Sequence, residues 1–290
     1  MKFLRAGLAA LTLVALTACT TVPGRSQAPD AASAAIPPAH DNLNATLWMQ
    51  SSAEYAATAR GIYAAARRSL DQALEDPSWN ALPEGEFQAG FELKPPAIVV
   101  DADETMIDNS AFQARAVIED AGYSHDRWLE WVRAEKATAL PGAIDFANYV
   151  NGRGVTIFFV TNRDAPDEVE ATVSNLRRLG FPIAADGSNV MLRGDVRAPD
   201  REKGERRRLI DRSHRVLLLM GDNLSDFLDG VNADVATREA RMAPYADWWG
   251  VRWFMLPNPT YGSWPNAVLR GCAKDVNPRT CLRSALKSDY

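Results

Sequence analysis

Histidine and cysteine are scarce in this chain, with three of each among 290 residues, and the formal net charge is −5. The glycines at 152 and 154 are not followed by the third glycine of a dinucleotide-binding loop, and the sequence contains no P-loop. An acidic chain without a basic run is a poor partner for a nucleic acid polymer. The one local cluster, Arg206-Arg207-Arg208, lies in a helical pattern with Glu202 and Glu205, so we expect a solvated helix face.

The first residues have the pattern of an export signal. Lys2 and Arg5 precede an uncharged apolar run that is too short to span a bilayer. The run ends in small residues before Cys19, which resembles the lipobox of bacterial lipoproteins. We predict a lipoprotein signal peptide at 1–18 and membrane anchoring through acylated Cys19. Because Thr20 is not Asp, the resemblance implies an outer-membrane lipoprotein that faces the periplasm or the surface. The alternative is ordinary secretion, with Cys19 incidental.

Residues 19–40 are rich in Pro, Ala, Ser and Thr, which predicts a disordered tether. Residues 41–290 have the length of one α/β domain with a large core. No later segment is apolar and long enough to span a bilayer. Outside the cytoplasm, Cys272 and Cys281 are expected to form a disulfide that closes a short loop, and the alternative is two free thiols.

The periodicity predicts alternating helices and strands. Apolar residues at helical spacing over 42–74 indicate one long helix or two consecutive ones. Short apolar runs predict buried strands at 98–100, 155–161, 190–192, 216–222 and 252–256, with helical segments between them. Such alternation favours a parallel sheet covered on both faces.

Two carboxylates follow the first of these strands. Asp101 and Asp103 come where the chain leaves the pleat, so both can face one crevice. Acids this close repel each other unless a cation or a shared proton lies between them. The pattern therefore favours a metal-assisted reaction with one nucleophilic carboxylate and one acid/base. An EF-hand loop is excluded, because Met106 and Phe112 stand where it needs Gly and Glu. A simple Asp-rich turn remains the alternative.

Other polar residues lie where they can join these acids. The second strand ends in Thr161-Asn162-Arg163, and a later strand ends in the segment 221–226. Lys203 lies near the start of a helix between them. Because parallel strands end at one edge, we expect these groups to converge. Each also has an ordinary explanation: Thr161 as a helix cap, Lys203 as a surface lysine, and Asp222 and Asp226 as turn acids.

In order and type, these segments resemble the four motifs of the haloacid dehalogenase superfamily, carried by 101–105, Thr161, Lys203 and 221–226. More narrowly, the segments 101–109, 159–163, 221–227 and 256–262 are similar to the bacterial class C acid phosphatases. That group includes outer-membrane lipoproteins that act as 5′-nucleotidases. The resemblance implies a Rossmann-like parallel sheet of the haloacid dehalogenase type, with added N-terminal helices and a small helical insert at 110–141.

The resemblance also implies residue roles. Asp101 would be the nucleophile and Asp103 the acid/base, with Thr161 donating to the phosphoryl group and Lys203 neutralising its charge. Mg²⁺ would be held by the Asp101 carboxylate, the Asp103 carbonyl and Asp222. Asp226 would order waters or the ammonium of Lys203. Supporting positions are Asp226, Asn223 and Asn162.

The expected substrate is a small phosphomonoester: a nucleoside monophosphate or nicotinamide mononucleotide. By resemblance, an aromatic ring would stack on its base, with Tyr261 the first candidate and Phe112 the second. Arg163 would reach the substrate or only brace its loop. Trp128 and Trp131, three residues apart on one helix, are expected in the core.

Few histidines and no Arg-His-Gly motif disfavour the histidine acid phosphatases. The resemblance implies a homodimer. Two alternatives stay open at this point: a non-catalytic envelope lipoprotein that binds ligands, and a phosphosugar mutase of the same superfamily. A mutase needs a substantial cap, whereas the modest insert favours an open site.

Overall fold

A computed structural model describes residues 41–288 of the chain. The predictions for the signal peptide, for Cys19 and for the tether up to residue 40 fall outside these residues. No helix within 41–288 combines the length and the apolar character needed to cross a bilayer.

The predicted parallel sheet is present. It has five strands in the order β5-β4-β1-β6-β7, with every neighbouring pair parallel. Since β1 is central and the chain moves first to one side of it and then to the other, the carboxyl end of β1 is where the strand order reverses, a usual position for ligand sites. The strands are β1 Pro96–Val100, β2 Ile107–Asp108, β3 Thr138–Ala139, β4 Thr156–Asp164, β5 Val190–Arg193, β6 Arg215–Gly221 and β7 Trp253–Met255.

Alternation along β1 places apolar side chains on both faces of the sheet. Ile98 and Val100 belong to one buried cluster, and Val99 belongs to a second cluster. The sheet is therefore covered on both sides, as the alternation of helices and strands predicts. The helices are α1 Leu43–Ser51, α2 Ala53–Glu75, α3 Ser110–Ile118, α4 His125–Ala134, α5 Ala143–Gly152, α6 Val169–Leu179, α7 Gly204–Asp211, α8 Val235–Met242, α9 Ser263–Leu269 and α10 Pro278–Ser284.

The segment 42–74 forms two consecutive helices, which is one of the two predicted arrangements. Ser52 separates them: its backbone is extended, and its hydroxyl accepts a hydrogen bond from the Tyr55 amide at 3.0 Å. A serine in this position satisfies an amide that the first turn of a helix leaves unpaired, so it ends α1 and starts α2.

The insert after β1 is small, as predicted. It consists of α3, α4 and the antiparallel pair β2–β3, in which Ile107 lies opposite Ala139. The two-residue strands were not predicted, because a pair this short leaves no period to detect. We call α3, α4, β2 and β3 together the cap.

The predicted disulfide closes a short loop in the C-terminal region. Cys272 and Cys281 are bonded, with their Cα atoms 6.2 Å apart, and Cys281 lies on α10. Two arginines of α10 also pair with Asp41 at the other end of the described chain: Arg279 Nε at 2.6 Å and Arg283 Nη2 at 2.8 Å.

Candidate active site

Strand register brings the predicted site residues together. Val100 on β1 is level with Phe159 on β4 and with Met220 on β6. The Asp101 amide continues the ladder by donating to the Met220 carbonyl at 2.9 Å. The polar segments that begin at Asp101, Thr161 and Asp222 therefore lie at the same edge of the sheet.

A buried ion-pair network lies at the carboxyl end of β1. The Lys203 ammonium contacts the Asp101 carboxylate and lies 2.7 Å from Asp226 Oδ1. Burial alone would lower the pKa of Lys203, but the two carboxylates raise it above its ordinary value. Burial raises the pKa of Asp101 to about 7, which outweighs the opposing attraction of Lys203. Lys203 is thus a buried partner of Asp101 and not a surface lysine.

Asp222 completes a cluster of three carboxylates. One oxygen each from Asp101, Asp222 and Asp226 lies within 4.8 Å of the other two. Burial, followed by the charges of Asp226 and Asp101, raises the pKa of Asp222 well above its usual range. Three carboxylates beside one ammonium, two of them buried and one half-buried, have an excess of negative charge and offer only hard oxygen donors. This donor set fits Mg²⁺.

The loop after β6 has room for this cluster only because it starts with glycine. A Cβ at Gly221 would overlap the side chain of Asp226. Asp226 Oδ2 in turn accepts from the Asn223 amide at 2.8 Å, and the Asn223 side chain accepts from Ser225 and Ser263. Asn223 therefore shapes the loop that carries Asp222 and Asp226.

Asp103 is held by Arg163. The Arg163 Nη2 lies 2.8 Å from Asp103 Oδ1, its Nε lies 3.1 Å from both carboxylate oxygens, and its Nη1 donates to Thr172. The Thr161 hydroxyl lies 3.4 Å from Asp103 Oδ2. All three guanidinium nitrogens of Arg163 thus have protein partners, and its main partner is the Asp103 carboxylate.

The prediction of a solvated Arg206-Arg207-Arg208 face is wrong for two of the three residues. Arg206 and Arg207 are fully buried, and only Arg208 is exposed. Arg206 donates to the Thr161 carbonyl and, at 2.8 Å, to Asn162 Oδ1. The exposed Asn162 is therefore a partner of Arg206 at the rim of the site.

Arg207 extends in the other direction. It forms a two-point pair with Glu86, at 2.6 Å for each nitrogen, and donates to the Asp226 carbonyl at 2.8 Å. The sequence could not show this, because the carboxylate that neutralises Arg207 comes from a loop 121 residues away. Arg206 thus ties α7 to the end of β4 at Thr161, and Arg207 ties it to the segments that carry Glu86 and Asp226.

Glu104 is a site residue that sequence reasoning missed. Its φ is +52°, and its carboxylate is fully buried. It accepts from the Asn109 amide at 2.8 Å and from the Tyr261 hydroxyl. Burial and the charge of Asp103 raise its pKa well above the ordinary range. The only sequence signal was its place between Asp103 and Thr105. Through this hydrogen bond, Glu104 fixes Tyr261, the first candidate for stacking on the substrate, against the loop 101–105.

The remaining aromatic residues belong to the cap. Phe112 is 8% exposed and packs edge-on against Trp128, with the ring centroids 5.3 Å apart. Trp131 packs against the core and donates to Asn109 Oδ1 at 2.8 Å. Trp128 is half-buried, and its ring lies 5.4 Å from the Arg163 guanidinium carbon. The expected core position holds for Trp131, whereas Trp128 covers the arginine that holds Asp103.

Comparison with known proteins agrees with this geometry. The family model for the haloacid dehalogenase superfamily, subfamily IIIB (acid phosphatase), matches residues 7–264. The class C acid phosphatase from Bacillus anthracis is 33% identical, with a TM-score of 0.73, over 86% of this chain and 98% of that one. A structure of that enzyme with tungstate bound gives 32% identity and the same TM-score and coverage. The chain belongs to the subfamily IIIB acid phosphatases of the haloacid dehalogenase superfamily and is a phosphomonoesterase.

Proposed function

We propose that this protein is a Mg²⁺-dependent 5′-nucleotidase that hydrolyses nucleoside monophosphates, and nicotinamide mononucleotide, through an aspartyl-phosphate on Asp101. The observation that carries the proposal is the Lys203 ammonium between Asp101 and Asp226, with Asp222 beside them at the end of β1. Tungstate is a tetrahedral oxyanion like phosphate, so its binding by a related acid phosphatase supports an oxyanion site in this family.

The residues divide the reaction between them. An Asp101 oxygen attacks phosphorus while Asp103 donates a proton to the departing ester oxygen. Asp103 then takes a proton from the water that cleaves the aspartyl-phosphate, which returns both side chains to their starting states. Thr161 donates a hydrogen bond to the phosphoryl oxygens, and Lys203 offsets the charge of nucleophile and phosphate.

Asp101, Asp222 and the Asp103 carbonyl would hold the Mg²⁺, and Asp226 would orient Lys203 and the ordered waters. When bound, the ion supplies positive charge that stabilises the phosphoryl group during transfer. By resemblance to the acid phosphatases we propose an acidic pH optimum, with Asp103 protonated when the ester oxygen leaves. A rate that rises steadily into the alkaline range would contradict this assignment.

The leaving group would stack on Tyr261, with Phe112 as the second candidate. Tyr261 is favoured because Glu104 fixes its hydroxyl, whereas Phe112 is buried and packs against Trp128 and Trp131. The small cap favours an open site that would admit several monophosphates, and so a nucleotidase over a phosphosugar mutase.

The test is phosphate release from a panel of monophosphates, with EDTA and with Mg²⁺. We expect turnover of AMP and nicotinamide mononucleotide that EDTA abolishes and Mg²⁺ restores. Asp101→Asn should fold normally and release no phosphate. Hydrolysis by this variant would overturn the nucleophile, and isomerisation of a phosphosugar without net release would indicate a mutase. An active enzyme that spares nucleotides would overturn only the substrate class.

We also propose that the protein is an outer-membrane lipoprotein, anchored at Cys19 through the tether 19–40, and that it forms a homodimer. Cys19→Ser should move the protein from the membrane fraction to the soluble fraction. Light scattering on a chain that starts at residue 41 should give twice the mass of one chain, and a monomer mass would contradict the dimer.

A further inference from the structure

Three metal-binding side chains converge outside the candidate active site. His125 opens α4, Asp164 ends β4, and Glu168 immediately precedes α6. One ligand atom from each residue lies within 4.8 Å of the other two. An imidazole nitrogen with two carboxylate oxygens is a donor set that Zn²⁺ takes, whereas the Asp101–Asp222–Asp226 cluster offers oxygen alone.

An independent observation concerns Glu168. Its side chain is fully buried, and its Oε2 accepts from the Asp164 amide at 3.1 Å and from Trp128 Nε1 at 3.3 Å. Its Oε1, also buried, has no hydrogen-bond donor among residues 41–288. A buried carboxylate oxygen without a partner is costly, so a ligand that satisfies it would be favoured.

The surrounding charges permit a cation. Both oxygens of Asp164 accept from Arg193, but each carboxylate oxygen has a second lone pair. Arg163 lies near Glu168 and is neutralised by its own pair with Asp103. Asp164 and Glu168 therefore bring two negative charges against the one positive charge of Arg193. His125 is exposed, so an ion can reach the cluster from solvent.

We propose that His125, Asp164 and Glu168 form a second metal site, which takes Zn²⁺ or a similar imidazole-binding divalent ion. The ion ties the start of α4 in the cap to the loop that follows β4. Glu168 also holds Trp128, whose ring lies over Arg163, so this tie fixes the cap beside the arginine that braces Asp103. The site has a structural role, and the inference does not depend on the proposed substrate.

The test counts bound zinc by equilibrium dialysis, on the folded chain without a polyhistidine tag and with Mg²⁺ in large excess. Wild type should bind one more Zn²⁺ per chain than His125→Ala. The matched control is His214→Ala, which removes the other described histidine and should bind as many Zn²⁺ ions as wild type. Because all samples contain the same excess of Mg²⁺, any zinc bound by the Asp101–Asp222–Asp226 cluster is equal in all of them. It therefore does not affect the difference between the variants.

Glu168→Gln gives a second variant of nearly unchanged shape, and it should also lose the extra ion. Circular dichroism should show that all variants fold. Co²⁺ provides a spectroscopic check, because its visible absorption should change between wild type and His125→Ala but not between wild type and His214→Ala. Equal zinc counts in wild type and His125→Ala, or no zinc retained by wild type, would overturn the site.

Discussion

The Arg163 guanidinium contacts the Asp103 carboxylate through two nitrogens, with Nη2 2.8 Å from Oδ1, and its central carbon lies 5.4 Å from the Trp128 ring. An acid/base must keep its proton-transferring oxygen aimed at the ester oxygen, and misplacement by about 1 Å can cost on the order of a hundredfold in rate. With Asp103 as the proposed acid/base, the pair with Arg163 would fix the direction of its carboxylate.

We expect Arg163→Met to lower kcat about a hundredfold, with a smaller change in KM, because the loss is in positioning and not in substrate contact. Steady-state kinetics with p-nitrophenyl phosphate would measure both constants. The control is Arg153→Met, which removes an exposed pair with Asp71 and should leave kcat unchanged. If Arg163→Met instead raises KM at constant kcat, Arg163 binds substrate.

The stabilising effect of Mg²⁺ should grow with pH. Burial raises the pKa of Asp101 to about 7 and that of Asp222 well above its usual range, so the metal-free folded state keeps protons that the unfolded chain has lost. As the pH rises from about 4 to about 7, these groups therefore lower the free energy of unfolding of the metal-free protein. Mg²⁺ bound by these carboxylates, as we propose, would replace the protons.

Thermal unfolding with EDTA and with Mg²⁺ would measure this effect. The increase in Tm on adding Mg²⁺ should be larger at about pH 7 than at about pH 5, since fewer protons then compete for the carboxylates. Asp222→Asn should show a much smaller increase at both pH values. An increase that is independent of pH in the wild type would contradict the prediction.

Tyr261→Ala should selectively weaken the binding of nucleotides. Stacking of a base on an aromatic ring contributes about 1–3 kcal/mol, so KM for AMP should rise about tenfold or more, while KM for glycerol phosphate should stay nearly constant. Tyr261→Phe keeps the ring and should keep most of the preference for AMP. The opposite pattern, with Phe112→Ala as the variant that loses AMP selectively, would move the stacking role to Phe112.

Arg207 and Arg208 offer a matched comparison of buried and exposed charges. Arg207→Met leaves Glu86 buried without its partner and should destabilise the fold by about 3–5 kcal/mol. Arg208→Met removes only an exposed contact with Asp229 and should change the free energy of unfolding by less than about 1 kcal/mol. Urea unfolding would measure both, and equal effects would contradict the structural distinction between these neighbours.

Local patterns in the sequence predicted the features with local causes. The apolar run before Asp101 predicted β1, and the rule that parallel strands end at one edge predicted that Asp101, Thr161 and Asp222 would meet. The end of β4 was less predictable: the strand continues to Asp164, which is level with Arg193 on β5. Polar residues at the end of a strand look like a loop when the neighbouring strand is unknown.

The features that were missed depend on distant partners. Arg207 is buried because Glu86 faces it, and Glu104 is buried because Tyr261 closes over it. A charged residue in an amphipathic pattern normally faces water, and nothing within a few residues of Arg207 or Glu104 indicates otherwise. These carboxylate contacts could be recognised only once the three-dimensional arrangement was known.

The pairing of Asp41 with Arg279 and Arg283 makes the two ends of the domain neighbours in space. Exposed ion pairs of this kind add little to the free energy of unfolding, so what matters is that they show the two ends to be close. A short peptide could join the ends into a circular permutant, with new termini opened in a surface loop away from the sheet edge. A reporter fused after α10 would likewise sit beside Asp41, far along the chain yet close to the start of the domain.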